Sequence, residues 1–466
     1  HPIISKLSTV YTGLHKMKSV VFRGMGKSSF FLANIISTST VYSSLPKISL
    51  SLSNQALLKK FELNSNTITI DSGITKKSLS SEYIAPKIES AYDANFSRTL
   101  SGIFEAFDSN TEKPETLVLS SSNSIQLTSD CCDILNTNYR TLFNITDHEL
   151  FPQLLNIKNL VIINPDFHIL LCVKNYYESI AKNNIENESI QPLNIVAITE
   201  VSSDRFIQRK APFVLKYHDM SNDIILFDAV DLNPYKKEDT NNEVLDFFSN
   251  VNNDVRKLVN IRIRDLKTFK VKMLMSTFTN AYIEAFSILY EVDPLVMKDA
   301  LTDQVYLDSF NKYISEFQWY VSVNEPQLIE DFGGSIEKSP FNTSSMKQYI
   351  SDVTSKKGDP QALYTNDQYT NRLALVKMDP LYRINHIKEA PPAKVESSLV
   401  TKIGLNQFFK TFTFKVNDSK FHMPETYSLF QMCIHKMKLN GYKKQKVRMD
   451  YKSDVEFIKN LLPQKE

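Results

Sequence analysis

"PETLVLSSSNSIQLTSD", Pro114 to Asp130, is the stretch on which the fold is read. Thr116–Ser120 is an apolar run of strand length, and Ile125–Asn136 spaces its apolar residues as a helix does, so the stretch reads as strand, turn and helix. A doubly wound nucleotide-binding sheet begins in this way. In such a sheet the chain leaving the first strand closes on its ligand through glycines, which accept positive φ and carry no Cβ. Here the corresponding turn is Ser120, Ser121, Ser122 and Asn123. No glycine occurs anywhere between Gly102 and Gly333, so this half of the chain is poorly suited to cradling a cofactor, and none is expected.

Outward from that stretch the alternation continues. Leu160–Ile163, Leu193–Ile198 and Ile224–Val230 read as strands, with helices over His168–Lys182 and Glu243–Val259. Lys270–Met275 reads as a further strand, Ser80–Phe107 as a helical entry segment, and the Asn-containing clusters at 183–190 and 236–242 as loops. Alternating strands and helices predict an α/β fold: a doubly wound parallel sheet with helices on both faces and a smaller, mainly helical C-terminal domain.

A chain of 466 residues with 42% hydrophobic and 23% charged residues buries a full core and is long enough for two or three domains. Its net charge of +2 supplies little overall field, so affinity for nucleic acid has to come from local patches. Cysteines stand at 131, 132, 172 and 433, without CxxC spacing or the density of a disulfide scaffold. No apolar run reaches the roughly 18 residues that cross a bilayer. The eight histidines are scattered, no cluster has metal-ligand spacing, and no serine lies in a nucleophile elbow.

Between His1 and Phe61 the charged residues are all basic: Lys6, Lys16, Lys18, Arg23, Lys27, Lys47, Lys59 and Lys60, with the first acid at Glu62. A basic, hydroxyl-rich, acid-free N-terminus has the composition of a mitochondrial targeting segment, or of an arm that binds an anionic partner. Within it, "FRGMGKSSFF" (Phe22–Phe31) places Gly26-Lys27-Ser28 like the end of a P-loop. The first glycine of that motif would fall on Val21, so the P-loop reading is rejected.

The strings "PETLVLSSSNSIQLTSDCCDIL", "NLVIINPDFHILLCVKNYYESI" and "QPLNIVAITEVSSDRF" have the order of the first three strand units of a class I methyltransferase-like domain. With "VRKLVNIRIRDLKTFKVKMLMS" and "RLALVKMDPL", they make the chain resemble the mitochondrial transcription factor B family, relatives of the ribosomal RNA adenine dimethyltransferases, over roughly residues 80 to 435. "APPAKVESSLV" also resembles the proline-rich element that should coincide with "LALVKMDP"; which of 373–380 and 391–400 is equivalent stays open. The resemblance implies a methyl-donor site, of which Asp166 would be the ribose-binding remnant, and a base-stacking loop after the fourth strand, matched by Asp231-Leu232-Asn233-Pro234-Tyr235. Without a donor turn that loop has nothing to catalyse. Asn233 and Tyr235 are left as base-stacking candidates or a plain turn, and Asp166 as a loop or helix cap.

Positive charge is the better-placed feature. Arg256, Lys257, Arg262, Arg264, Lys267, Lys270 and Lys272 form one candidate phosphate-contacting run. Lys436, Lys438, Lys443, Lys444, Lys446, Arg448 and Lys452 form a second, with Tyr442 and Tyr451 interleaved as for single-stranded nucleic acid. The alternative for either run is a solvated helix face or tail. Trp319, with Phe317 and Tyr320, reads as core of a helical domain.

The expected organisation is a basic arm over 1–74, a methyltransferase-like domain over 75–280, a smaller domain over 281–435 and a basic tail over 436–466. The resemblance implies a catalytically silent transcription initiation factor of the mitochondrial matrix, binding a single-subunit mitochondrial RNA polymerase and melted promoter DNA. The alternative is a structural mitochondrial ribosomal protein bound to rRNA. An active rRNA adenine dimethyltransferase is disfavoured by the missing glycines. The sequence leaves DNA against RNA, and polymerase against ribosome, undecided.

Overall fold

The computed structural model describes residues 19–24, 26–39, 46–52, 54–71, 75–77, 82–84, 88–96, 114–120, 124–144, 157–165, 167–183, 190–200, 207–217, 225–236, 241–252, 259–290 and 304–356, with the short helical residues 424–426, 428–429 and 432. The chain divides into two compact units, the boundary among these residues falling at Leu266 and Lys267.

The first unit is built on an eight-stranded sheet. Its strands are β1 (Ser19–Arg23), β2 (Lys47–Leu52), β7 (Asp93–Phe96), β8 (Thr116–Leu119), β9 (Asn159–Ile163), β10 (Asn194–Glu200), β13 (Ile225–Asp231) and β14 (Val259–Ile263). Across the sheet they run β14-β13-β10-β9-β8-β1-β2-β7. The six strands from β7 to β10 are mutually parallel. β13 runs antiparallel to β10, and β14 lies parallel to β13. Numbered by chain order, the parallel strands read 3-2-1-4-5-6 in space, the order of a dinucleotide-binding sheet wound in two halves from its centre. Continuous apolar runs such as SVVF in β1 and LVII in β9 suit strands covered on both faces.

This order corrects the sequence reading at its root. Thr116–Leu119 is the fourth parallel strand, and the first is Ser19–Arg23, inside the segment expected as a basic arm. The three methyltransferase-like strings are therefore strands four to six of the sheet. The strand expected at Lys270–Met275 lies within a helix, and residues 82–96 of the expected helical entry hold short strands.

Helix α1 (Lys27–Ser37) follows β1 and is buried from Ser28 to Ile36. A helix apolar all round needs cover on both sides. Phe31 lies against Phe227 of the main sheet, ring centroids 6.3 Å apart, while Phe30 meets Phe213 edge-on at 5.9 Å. Phe213 belongs to the turn between β11 (Ile207–Ala211) and β12 (Val214–Tyr217), which with β3 (Thr67–Asp71) and β6 (Ile88–Ala91) form a second sheet, in the order β11-β12-β3-β6. Buried Asn34 ties α1 to it, donating to the Ile68 and Ile88 carbonyls at 2.8 and 3.3 Å and accepting from Tyr92 Oη at 2.5 Å. β4 (Thr75–Lys77) and β5 (Glu82–Ile84) pair as a separate ribbon.

Helix α2 (Gln55–Leu63) joins β2 to β3 and is capped by Asn54. α3 (Ser124–Leu142) and α4 (Phe167–Asn183) pack on each other and connect β8, β9 and β10. Tyr177 of α4 donates to Leu193 O at 2.8 Å and accepts from Ile195 N at 3.2 Å, and burial pushes its hydroxyl well above the usual range. α5 (Glu243–Val251) precedes the edge strand β14. Just beyond it, Asn252 accepts from Ile261 N and donates to Ile261 O, both at 2.7 Å, filling backbone positions that an edge strand leaves open.

The described second unit is helical: α6 (Leu266–Tyr290), α7 (Gln304–Asn324), α8 (Pro326–Glu330) and α9 (Thr343–Lys356). Phe278, Tyr313, Phe317, Tyr320 and Phe341 form a buried aromatic core. Glu316 receives the backbone amides of Glu425 and Thr426 at 2.6 and 2.8 Å, clasping the short helical piece to α7; burial raises its carboxyl above the usual range despite these bonds.

Candidate functional site

In an open parallel sheet, ligands bind beyond the carboxyl ends of the strands, at the point where the winding reverses. Here that point is β1, which pairs with β2 on one side and β8 on the other. The chain leaving β1 reads Gly24-Met25-Gly26-Lys27-Ser28-Ser29, a G-x-G-x-x-S version of the dinucleotide fingerprint G-x-G-x-x-[G/A]. Gly24 has a φ of 76°, which a side chain resists, and its N–H reaches Ser51 O at 3.4 Å. Gly26 is the N-cap of α1, with no side-chain cap, and no acidic residue stands in the first turn. The leading amides of a helix have no intrahelical acceptor, and the helix dipole makes that end attractive to anions. Lys27 at the first helical position adds charge of the same sign. Ser29, at the third fingerprint position, is fully buried, and its hydroxyl has no hydrogen-bond partner among the described residues.

Polar groups from neighbouring strand ends gather at the same edge. Ser120 N donates to Arg23 O at 2.8 Å, and a Cβ on Gly26 would lie 3.4 Å from Ser120 Oγ. Asn164, ending β9 with a φ of 49°, accepts Glu200 N at 2.9 Å and donates to Ser28 Oγ at 3.4 Å. Ser28 Oγ donates to Glu200 Oε2 at 2.6 Å. Arg23, buried at 2%, bonds Asp130 Oδ2 of α3 and Ser51 Oγ of β2, each at 3.4 Å.

The sequence signal for this turn was present in "VVFRGMGKSS". Its glycines miss P-loop spacing and meet dinucleotide spacing, within a stretch whose composition is that of a basic arm. Of the expected donor-turn residues, Ser120 lies at this edge as part of the fourth strand's end; Ser121, Ser122 and Asn123 lie outside the described residues, as does Asp166.

The Asn233–Tyr235 loop lies at the other end of the sheet. β13 is antiparallel, so Asp231 ends beside the start of β10, with Leu232 N on Ile195 O at 2.9 Å. Asp231 Oδ1 accepts Asn233 N, while Oδ2 takes Lys236 Nζ and Asn242 Nδ2, both at 2.8 Å. The loop is a hydrogen-bonded turn whose exposed Tyr235 hydroxyl is pushed up first by partial burial and then by Glu178.

The first basic run is split by the fold. Arg262 and Arg264 converge on buried Asp228 at 2.9 and 3.4 Å. In the second unit Lys267 bonds Asp331 O at 3.4 Å and lies over the Phe332 ring at 4.4 Å, Lys270 pairs with Glu325 at 3.4 Å, and Lys272 is exposed on α6. Arg256, Lys257 and the whole second run, Lys436, Lys438, Lys443, Lys444, Lys446, Arg448 and Lys452, lie outside the described residues. Trp319 is half-buried on α7. Among the described residues no cluster could hold a metal ion, and no helix is long and apolar enough to cross a membrane.

No family model matches the chain, and no curated protein matches it. Similar solved structures include a protein assigned as 2-dehydropantoate 2-reductase from Enterococcus faecalis, 10% identical with a TM-score of 0.46, covering 91% of this chain and 100% of that one. Another is D-mandelate dehydrogenase solved with NADH and anilino(oxo)acetate, 9% identical, TM-score 0.44, covering 91% and 100%. A third is 2-dehydropantoate 2-reductase from Porphyromonas gingivalis W83, 9% identical, TM-score 0.40, covering 79% and 96%. The strings that carry the resemblance to transcription factor B and the rRNA dimethyltransferases are the fourth to sixth parallel strands, not the first three, and that order overturns it. The transcription-factor and ribosomal-protein readings follow from that resemblance, and the non-enzyme reading takes Ser120–Asn123 as the turn after the first strand. The turn after the first parallel strand is instead Gly24–Gly26, which overturns those readings.

Proposed function

We propose that the chain is an NAD(P)-dependent oxidoreductase whose dinucleotide lies across the carboxyl ends of β1, β2 and β8, with its pyrophosphate on the first turn of α1. The observation that carries this reading is the Gly24-Met25-Gly26 turn, joining the central strand to an uncapped helix at the winding reversal. The residues fit the group: a positive-φ glycine, a second glycine where the backbone must approach phosphate, and no acidic residue among those of the helix's own first turn. When bound, the dinucleotide supplies the hydride donor or acceptor; this chain's residues bind and orient it. Such sites commonly place an acid on the ribose about 20 residues past the glycines. No acid occurs between Arg23 and Glu62, which favours acceptance of a 2′-phosphate.

Gly26→Ala tests the reading. Gly26 has a φ of −85°, and the added methyl would meet Ser120 Oγ at 3.4 Å, an ordinary contact, so the fold should be unchanged. The methyl would occupy the pyrophosphate's approach, and NADPH affinity should fall by about tenfold or more, a loss of about 1.4 kcal/mol or more. An unchanged dissociation constant in a variant of native melting temperature would overturn the assignment.

A further inference from the structure

Three elements close on one hydroxyl at the proposed site. Asn164, at the end of β9, holds Glu200 through its backbone N–H at 2.9 Å; Glu200 ends β10, and its Oε2 takes the Ser28 proton at 2.6 Å. Ser28 is the second residue of α1 and is buried at 3%. A carboxylate from the sixth parallel strand is therefore seated on the helix turn that the pyrophosphate needs.

We propose that Glu200 sets dinucleotide affinity: its carboxylate is an internal occupant of the anion-binding end of α1 and has to withdraw before a pyrophosphate seats there. The inference rests on the dinucleotide reading of the same turn. Two physical points carry it. A serine hydroxyl has one proton to donate, so Glu200 and a phosphate oxygen compete for it directly. A carboxylate beside a pyrophosphate is also a like-charge contact, which counts for more in a partly buried site than in water. The Asn164 bond to the Glu200 amide fixes where the strand ends, so the side chain reaches Ser28 from a defined origin.

The experiment is a titration of the full chain with NADPH in four forms: unaltered, Glu200→Gln, Ser28→Ala and the double variant, with Glu200→Ala in reserve should the glutamine variant fold poorly. Glu200→Gln should bind about tenfold tighter or more, the scale of one like-charge contact removed from such a site. In the Ser28→Ala background the gain should shrink, because without the hydroxyl nothing holds the carboxylate at the turn. Binding by the variant alone, with none by the unaltered chain, would be the strongest support. Equal gains in both backgrounds would overturn the Ser28 contact as the cause. Equal or weaker binding by Glu200→Gln, beside measurable binding by the unaltered chain, would overturn the proposal and leave the dinucleotide site standing. Folded proteins that do not bind in any form would overturn the site itself.

Discussion

Arg23 stands one residue before the glycine turn, in a stretch whose composition is that of a basic, targeting-like arm. It is instead buried, with its guanidinium on Asp130 and Ser51, so one side chain joins β1, β2 and α3 beneath the proposed ligand. Breaking such a pair from one side leaves an uncompensated buried charge, at about 3–5 kcal/mol. Lys47 and Asp93 give the contrast: their side chains are 63% and 75% exposed at 3.6 Å, and a pair of that kind contributes about 0–1 kcal/mol. Asp130→Asn should therefore lower the unfolding free energy by about 3 kcal/mol in a urea titration, against under about 1 kcal/mol for Lys47→Ala. Similar small losses for both would show that Arg23 finds another way to settle its charge. The sequence carries a hint of this burial in Val20, Val21 and Phe22 before Arg23, but the charge of sixty residues outweighs three apolar ones.

Among the elements, legibility followed periodicity and length. Strands β8, β9, β10 and β13, and helices α3 and α4, were legible because apolar runs of strand length alternate there with helical spacing. β1 and α1 were not: β1 has five residues, and α1 is buried on every side, so it lacks the one-sided pattern that marks a surface helix. The Lys270–Met275 segment failed for the opposite reason, since a short apolar run without its neighbours does not distinguish strand from helix. The site was least legible, because its two glycines lie in a stretch with the composition of a basic arm, while the Asn233–Tyr235 loop, with its site-like sequence, is at the amino end of the sheet. At the sheet's other limit, Asn252 carries its own prediction. It pairs with both backbone groups of Ile261 on the edge strand, so Asn252→Ala should cost about 1–2 kcal/mol for the lost hydrogen bonds and open β14 to another chain. Sedimentation velocity should show concentration-dependent self-association in this variant beyond that of the unaltered chain. The same distribution in both would mean that the edge is protected by other means.

Across the whole molecule, every element of the proposed dinucleotide site belongs to the first unit. The order 3-2-1-4-5-6 fixes where a ligand lies, the glycines fix how closely the backbone approaches it, and the second sheet holds α1 from behind through Asn34 and Phe30. Hydrogen exchange on the full chain, with and without saturating NADPH, tests the central claim most directly, since it reports both whether the ligand binds and where. Binding should slow exchange at the amides of residues 24–30 and at the carboxyl ends of β2 and β8, with little change in the Asn233–Tyr235 turn. Protection confined to other segments, or none at saturation, would contradict the account.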